Sequence, residues 1–319
     1  MKKVDGPRDT KRTLVWAIDP RQRDTRPSAP SVDALVATAE RMNLRIMPVT
    51  VYSPSSGDPD QRLFQCVSDV QSQLNAFLKA FPALAGVAPK VLVAEQPGQE
   101  AAVTKLLQFC SLEDAAGIAV SSHGWSGLDR LFLGSFAETL LKTSTFPVFF
   151  LSHEAAGSGD EIFFPTDFSA DSLSSFIQLL DTISGAKPKL TIFHAVTYPL
   201  PADMGLGVYV PDSFLLEQKA WAEEQAAAWV STAKHKGVEA RSVVRVGGIG
   251  LVTSEELLAV AGEFRAGTVV LTTKSNSVGR TLFGSIAYPV FRANQCLTLV
   301  YGPKTIRHAG PGGARVGAV

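Results

Sequence analysis

The chain has 319 residues, 45% hydrophobic and 19% charged, which is a globular rather than a disordered composition and is enough for two domains of about 100–200 residues each. Thirty Lys and Arg balance thirty Asp and Glu, so there is no electrostatic case for nucleic acid as a partner and little charge repulsion against self-association. No apolar run approaches the roughly 18 residues that cross a bilayer. The basic N-terminus MKKVDGPRDTKR leads straight into Thr13-Leu14-Val15-Trp16, without the apolar stretch of a signal sequence. The expectation is a cytoplasmic protein with no membrane partner. Cys66, Cys110 and Cys296 are far apart, with no Cys-x-x-C and no Cys/His cluster. They read as small buried hydrophobes, and neither a metal site nor a disulfide framework is expected.

In chain order, short apolar runs alternate with helical patterns. Thr13–Ile18 is a run, Val32–Met42 is helical, Leu44–Val51 is a run, and Leu63–Phe81 is helical. Runs follow at Lys90–Ala94, Gly117–Ser121 and Pro147–Leu151, with a helical Phe-Ala-Glu-Thr-Leu-Leu-Lys after Gly134-Ser135. The small polar stretch His153–Asp160 has the composition of a linker. Beyond it come Glu161–Pro165, helical Ser172–Ile183, Lys189–Val196, helical Phe214–His235, Ala240–Val246, helical Ser254–Arg265, Thr268–Thr272 and Cys296–Tyr301. Continuous apolar runs separated by helices indicate parallel strands buried on both faces. The reading is α/β: two tandem doubly wound, Rossmann-like domains, 12–152 and 160–302, each with a five-stranded parallel sheet. The Gly- and Pro-rich segment 303–319 is expected to be disordered.

The halves repeat one another. Gly134-Ser135 recurs as Gly284-Ser285, 150 positions later, and Arg130 recurs as Arg280. The stretch Arg12–Asp19 aligns with Asp160–Asp167, 148 positions later. Two nearly equal offsets at opposite ends of the half mean that the whole half is duplicated.

The segment that carries chemistry runs from Val120 to Ser135. It starts at the end of a strand, where open parallel sheets bind ligands. Gly124 lets the backbone approach a ligand, and Gly134-Ser135 opens a helix, offering free N–H groups, a hydroxyl and the positive dipole end to phosphate oxygens. Ser121-x-x-Gly124, nine residues, then Gly134-Ser135 resembles the nucleotide loop of the universal stress protein family, G-x-x-G, nine residues, G-S/T. His123-Gly124, Pro147-Val148, Pro165-Thr166-Asp167 and His194 match further family positions in order. The fold of that family is adenine nucleotide alpha hydrolase-like. The resemblance implies a stress-response protein that binds ATP or another adenine nucleotide, with Mg2+ as an accompanying ion. It places a preferred site in the first half at Ile18, Asp19, Thr50, Ser121, His123, Gly124, Gly134, Ser135 and Phe136. A weaker site in the second half falls at Thr166, Asp167, Ala195, Gly284 and Ser285.

The two copies depart from the pattern differently. Ser121 stands where the loop's first Gly belongs, and the residue before Asp19 is Ile18 rather than Thr. In the second half the loop reads Leu271-x-x-Lys274, without either early glycine. Trp125 is either a stacking face or an interface residue. A Walker loop, G-x-S-x-G and the Ser-Gly-Gly-x-Asp-Ser loop of ATP-cleaving relatives are all absent from the sequence. The expectation is a regulatory binder with no catalytic residue. The alternatives are a nucleotide-free structural or interaction protein, or a binder of another small ligand in the second half. For assembly, the resemblance implies an intramolecular pseudo-dimer in which Pro147–Leu151 pairs with Leu297–Tyr301. A homodimer and protein partners of unknown identity are further expectations.

Overall fold

The computed structural model describes residues 11–20, 27–54, 60–121, 135–152, 159–186, 188–198, 212–249, 254–273, 287–293 and 295–308. The first half contributes β1 (Arg12–Ala17), α1 (Ala29–Arg41), β2 (Leu44–Tyr52), α2 (Asp60–Leu78), a single 3-10 turn at Pro82–Leu84, β3 (Lys90–Val93), α3 (Gln99–Leu112), β4 (Ala115–Ser121), α4 (Ser135–Thr143) and β5 (Val148–Leu151). The second half contributes β6 (Glu161–Pro165), α5 (Ala170–Ile183), β7 (Lys189–Tyr198), α6 (Asp212–His235), β8 (Glu239–Ile249), α7 (Ser254–Glu263), β9 (Ala266–Thr272), α8 (Ala287–Ala293) and β10 (Leu297–Tyr301). The chain then forms α9 (Pro303–His308).

Local chemistry explains the element ends. Ser28 and Ser169 precede α1 and α5, and each hydroxyl accepts a backbone N–H three residues on, from Ser31 at 3.3 Å and Ser172 at 3.2 Å. Such caps satisfy amides that the first helical turn leaves without partners. Turns from helix to strand use left-handed residues. Asn43 has φ 54° before β2, and Gly237 has φ 74° after the cationic end of α6 at Lys234 and His235.

All ten strands form one sheet in the order β3-β2-β1-β4-β5-β10-β9-β6-β7-β8. Each half has the doubly wound order, and every neighbouring pair is parallel except one. That exception joins the halves: β10 runs antiparallel to β5, with Thr298, Leu299 and Val300 opposite Phe150, Phe149 and Val148. Leu299 lies 150 positions after Phe149, the spacing of the sequence repeat, so a local two-fold passes through this pair. The expected internal pairing of the last strands is present, and it covers two edges that would otherwise invite other chains.

Strand alternation sends side chains to two cores. Leu14, Trp16, Phe149, Leu151, Ile162 and Phe164 pack on the face covered by α1, α2, α5 and α6. Val15, Val148, Phe150 and Phe163 pack on the face covered by α3, α4, α7 and α8. Both cores run across the β5–β10 seam, so the two halves share one interior.

The ten apolar runs all form strands, with β7 and β8 reaching further than their runs. The largest correction falls on the C-terminal segment, expected to be disordered from residue 303. Its first six residues are α9. Ile306 is buried, Thr305 Oγ1 donates to the carbonyls of Ser144 and Phe146 at 3.2 Å each, and Ser174 Oγ and Gln178 Nε2 donate to the carbonyls of Ile306 and Thr305. α9 therefore lies between the end of α4 and the flank of α5. A helix of six residues carries too little periodicity to announce itself, and its stability comes from this docking. Among the described residues no helix is long and apolar enough to cross a membrane.

Candidate functional site

In each half the chain winds outward in both directions from one pair of neighbouring strands, β1 and β4 in the first half and β6 and β9 in the second. The crevice beyond the carboxyl ends of such a pair is where open α/β sheets hold ligands. Ile18 and Asp19 follow β1, Ser121 ends β4 and Ser135 opens α4, so four of the expected first-half residues lie around this switch point. His123, Gly124, Gly134 and Trp125 lie outside the described residues, as do Lys274, Gly284 and Ser285.

The first-half strand end is held by its neighbour. Ile18 N donates to Val49 O at 2.8 Å, and Thr50 Oγ1 donates to Ile18 O. Thr50 is buried, so its hydroxyl fixes the end of β1 and leaves Asp19, an exposed residue, at the rim. Ser135 is also exposed, and its hydroxyl donates to Gln99 Oε1 at 2.5 Å. Gln99 Nε2 donates in turn to Thr139 Oγ1 at 3.1 Å. Gln99 opens α3 directly after Gly98, whose φ of 109° only glycine adopts readily and whose N–H is held by Ser53 Oγ at 2.9 Å. The sequence reading missed Gln99. No motif marks it, because its part depends on α3 and α4 lying side by side. Phe136, in the first turn of α4, is partly buried and packs on the core face covered by α3 and α4.

The second half has the same backbone lock with different chemistry. Thr166 N donates to Phe193 O at 2.9 Å, the counterpart of Ile18 to Val49. The position of Thr50 is taken by His194, whose Nδ1 lies 2.8 Å from Thr166 O. A carbonyl only accepts, so Nδ1 carries the proton. The register makes His194, and not Ala195, the counterpart of Thr50. Ala195 matches Val51 and packs into the opposite core. Burial pushes His194 below the usual imidazole range, against the opposing pull of the Thr166 carbonyl and the Asp167 charge.

Asp167 is engaged by its own helix. Its Oδ1 accepts from Ser169 N at 3.0 Å and Ser172 Oγ at 2.6 Å. Burial works to raise its carboxyl, but these bonds outweigh it and hold the group below the ordinary range. Phe168 follows with φ 55°. Its ring lies 4.7 Å from His194, with Trp221 at 5.8 Å and Trp229 at 5.2 Å meeting it edge-on. The second strand end is thus bonded to itself and covered by an aromatic ring, whereas the first ends in an exposed carboxylate. Among the described residues no three His, Cys, Asp or Glu side chains come together to hold a metal ion.

This arrangement defines a Rossmann-like α/β class with switch-point crevices. Comparison with known proteins narrows this for the first half. The universal stress protein family matches residues 4–151, so the first half is a universal stress protein domain. No curated protein matches the chain. Among solved structures, a universal stress protein from Archaeoglobus fulgidus DSM 4304 is 16% identical, covering 90% of this chain and 95% of its own, with a TM-score of 0.55. A functionally unknown protein from Pseudomonas aeruginosa PAO1 is 14% identical, covering 94% of this chain and 96% of its own, with a TM-score of 0.54. These likenesses extend the shared fold across the second half.

Proposed function

We propose that this chain is a cytoplasmic, non-catalytic stress-response protein that takes ATP or a related adenine nucleotide in its first half. The observation that carries the reading is the placement of Asp19 after β1, Ser121 at the end of β4 and Ser135 at the start of α4, on the side of the β1–β4 switch point, inside a universal stress protein domain. Ser135 fits a phosphate-facing role. It is exposed at the start of α4, where the dipole and the amides of the first turn favour anions, and among the described residues its hydroxyl donates to Gln99, an acceptor that a phosphate oxygen can replace. Asp19 fits a polar contact to the sugar or base. A Mg2+ ion would come with the phosphates, since the described side chains gather no ligand set of their own. The second half supports nucleotide less well. Asp167 is committed to Ser169 and Ser172, and Phe168 lies over His194.

The test is calorimetric titration of the purified chain with ATP and Mg2+, together with thermal melting. One nucleotide per chain with a rise in melting temperature is expected, and no heat and no shift at millimolar ATP would remove the proposal. Mass spectrometry of ligands released on denaturation separates nucleotide from any other small molecule held in the second half.

A further inference from the structure

The ten-stranded sheet has two outer edges, and they are not alike. β3 has four residues, Lys90–Val93, and shortness is one way natural sheets discourage pairing with other chains. β8 has eleven, Glu239–Ile249, and among the described residues it pairs with β7 alone. Charged side chains usually guard such an edge, yet the arginines of β8 turn back toward their own sheet. Arg241 reaches across Thr191 to Glu161, with bonds of 2.9 and 2.5 Å, and lies 4.2 Å over the Phe264 ring. Arg245 turns to Glu263 on α7. Val246, on β8 itself, is one of the few large apolar side chains that are exposed among the described residues.

We propose that the outer edge of β8 pairs antiparallel with β8 of a second copy of this chain. The sequence of the strand is complementary to itself in one register. A two-fold centred on Ser242 sets Glu239 opposite Arg245 of the second copy, twice, with Ala240 opposite Val244 and Arg241 opposite Val243. Glu239, Arg241, Val243 and Arg245 alternate onto one face of the sheet, so opposed residues point to the same side. Moving the centre to Arg241 sets that arginine against itself, and moving it to Val243 sets Arg241 against Arg245. Like charges directly opposite disfavour both alternatives. Glu239 and Arg245 are exposed. Both terminal nitrogens of Arg245 donate to the Glu263 carboxylate, but a guanidinium has five N–H donors, so the remaining ones can take a second carboxylate across the edge without breaking this exposed surface pair. The zero net charge of the chain removes the long-range repulsion that would oppose association. The other two strand edges, β5 and β10, are used inside the chain, so the assembly uses an edge independent of the internal two-fold and of any nucleotide.

Sedimentation of the whole chain, wild type beside Glu239→Arg, Arg245→Glu and the double reversal, tests this. The wild type should be a dimer that weakens with added salt. Each single reversal places like charges opposite each other at two symmetric points and should weaken the dimer by about tenfold or more. The double reversal restores opposite charges and should return the constant to within about threefold of wild type. Circular dichroism and melting confirm that each variant folds. A monomeric wild type at low salt, a dimer indifferent to the single reversals, or a double reversal that fails to restore association each overturns the proposal.

Discussion

The ends of β1 and β6 occupy equivalent places and have taken opposite courses. At the end of β1 the buried Thr50 hydroxyl holds the Ile18 carbonyl, and the strand leads to an exposed Asp19. At the end of β6 an imidazole replaces the hydroxyl, the aspartate is drawn into the first turn of α5, and the next residue turns left-handed to lay its ring over the histidine. The backbone hydrogen bonds are the same in both. The difference teaches that a duplicated fold constrains the strand ends through the main chain and leaves the side chains there free to diverge. One copy leaves its strand-end aspartate exposed, and the other commits its own to the first turn of the following helix.

Four experiments test that contrast. The largest effect belongs to the shared interior. Trp16→Ala in the first half and Phe164→Ala in the second remove fully buried rings, each at a cost of about 3–5 kcal/mol. Because both cores cross the β5–β10 seam, each should lower one common melting transition, and two separated transitions in calorimetry would show the halves to be independent. Next, Ser135→Ala should reduce the ATP-induced melting shift, and Ser135→Glu, which brings a carboxylate to the phosphate position, should abolish it. Ser172→Ala at the second strand end should leave that shift unchanged.

Smaller again is the effect of removing the Asp167 side chain. Asp167→Ala frees the Ser169 amide and the Ser172 hydroxyl and should cost about 1 kcal/mol, as lost helix caps do. Asp19→Ala should cost less, since that residue is exposed. Chemical denaturation at neutral pH compares them. The smallest effect is a pH dependence. His194 is held below its ordinary value of 6.5 in the fold, so the unfolded chain takes up its proton first as pH falls. Protonation therefore favours unfolding: stability is full above the unfolded value and declines as pH drops through it toward the folded one. His194→Thr, which installs the first-half residue, should flatten that part of the stability profile between about pH 5 and 7.

Much of the fold was legible because it rests on patterns that strands and helices cannot hide. Continuous runs such as Ile162–Phe164 need burial on both faces, and the 148 and 150 spacings foretold the repeated strand order, while the pairing of Pro147–Leu151 with Leu297–Tyr301 came from the family resemblance. Elements held by partners distant in sequence were not legible. α8 and α9 are short, and α9 exists because Thr305 finds carbonyls at Ser144 and Phe146. The places of the candidate residues were legible where they follow from position on a strand, as with Asp19 after β1 and Ser121 at the end of β4. They were not legible where a side chain's role depends on a neighbour: Gln99 holding Ser135, Phe136 packed on the core, and His194 rather than Ala195 answering Thr50.

The β5–β10 pairing also sets a schedule for synthesis. β5 is complete near residue 151, but its partner strand ends only at Tyr301, and at about 5–20 residues per second the ribosome needs on the order of ten seconds or more to deliver it. Throughout that interval the nascent first half presents Val148–Leu151, an apolar strand, to whatever else is in reach. The seam closes only once β10 has been made, and α9 follows immediately behind to fasten it.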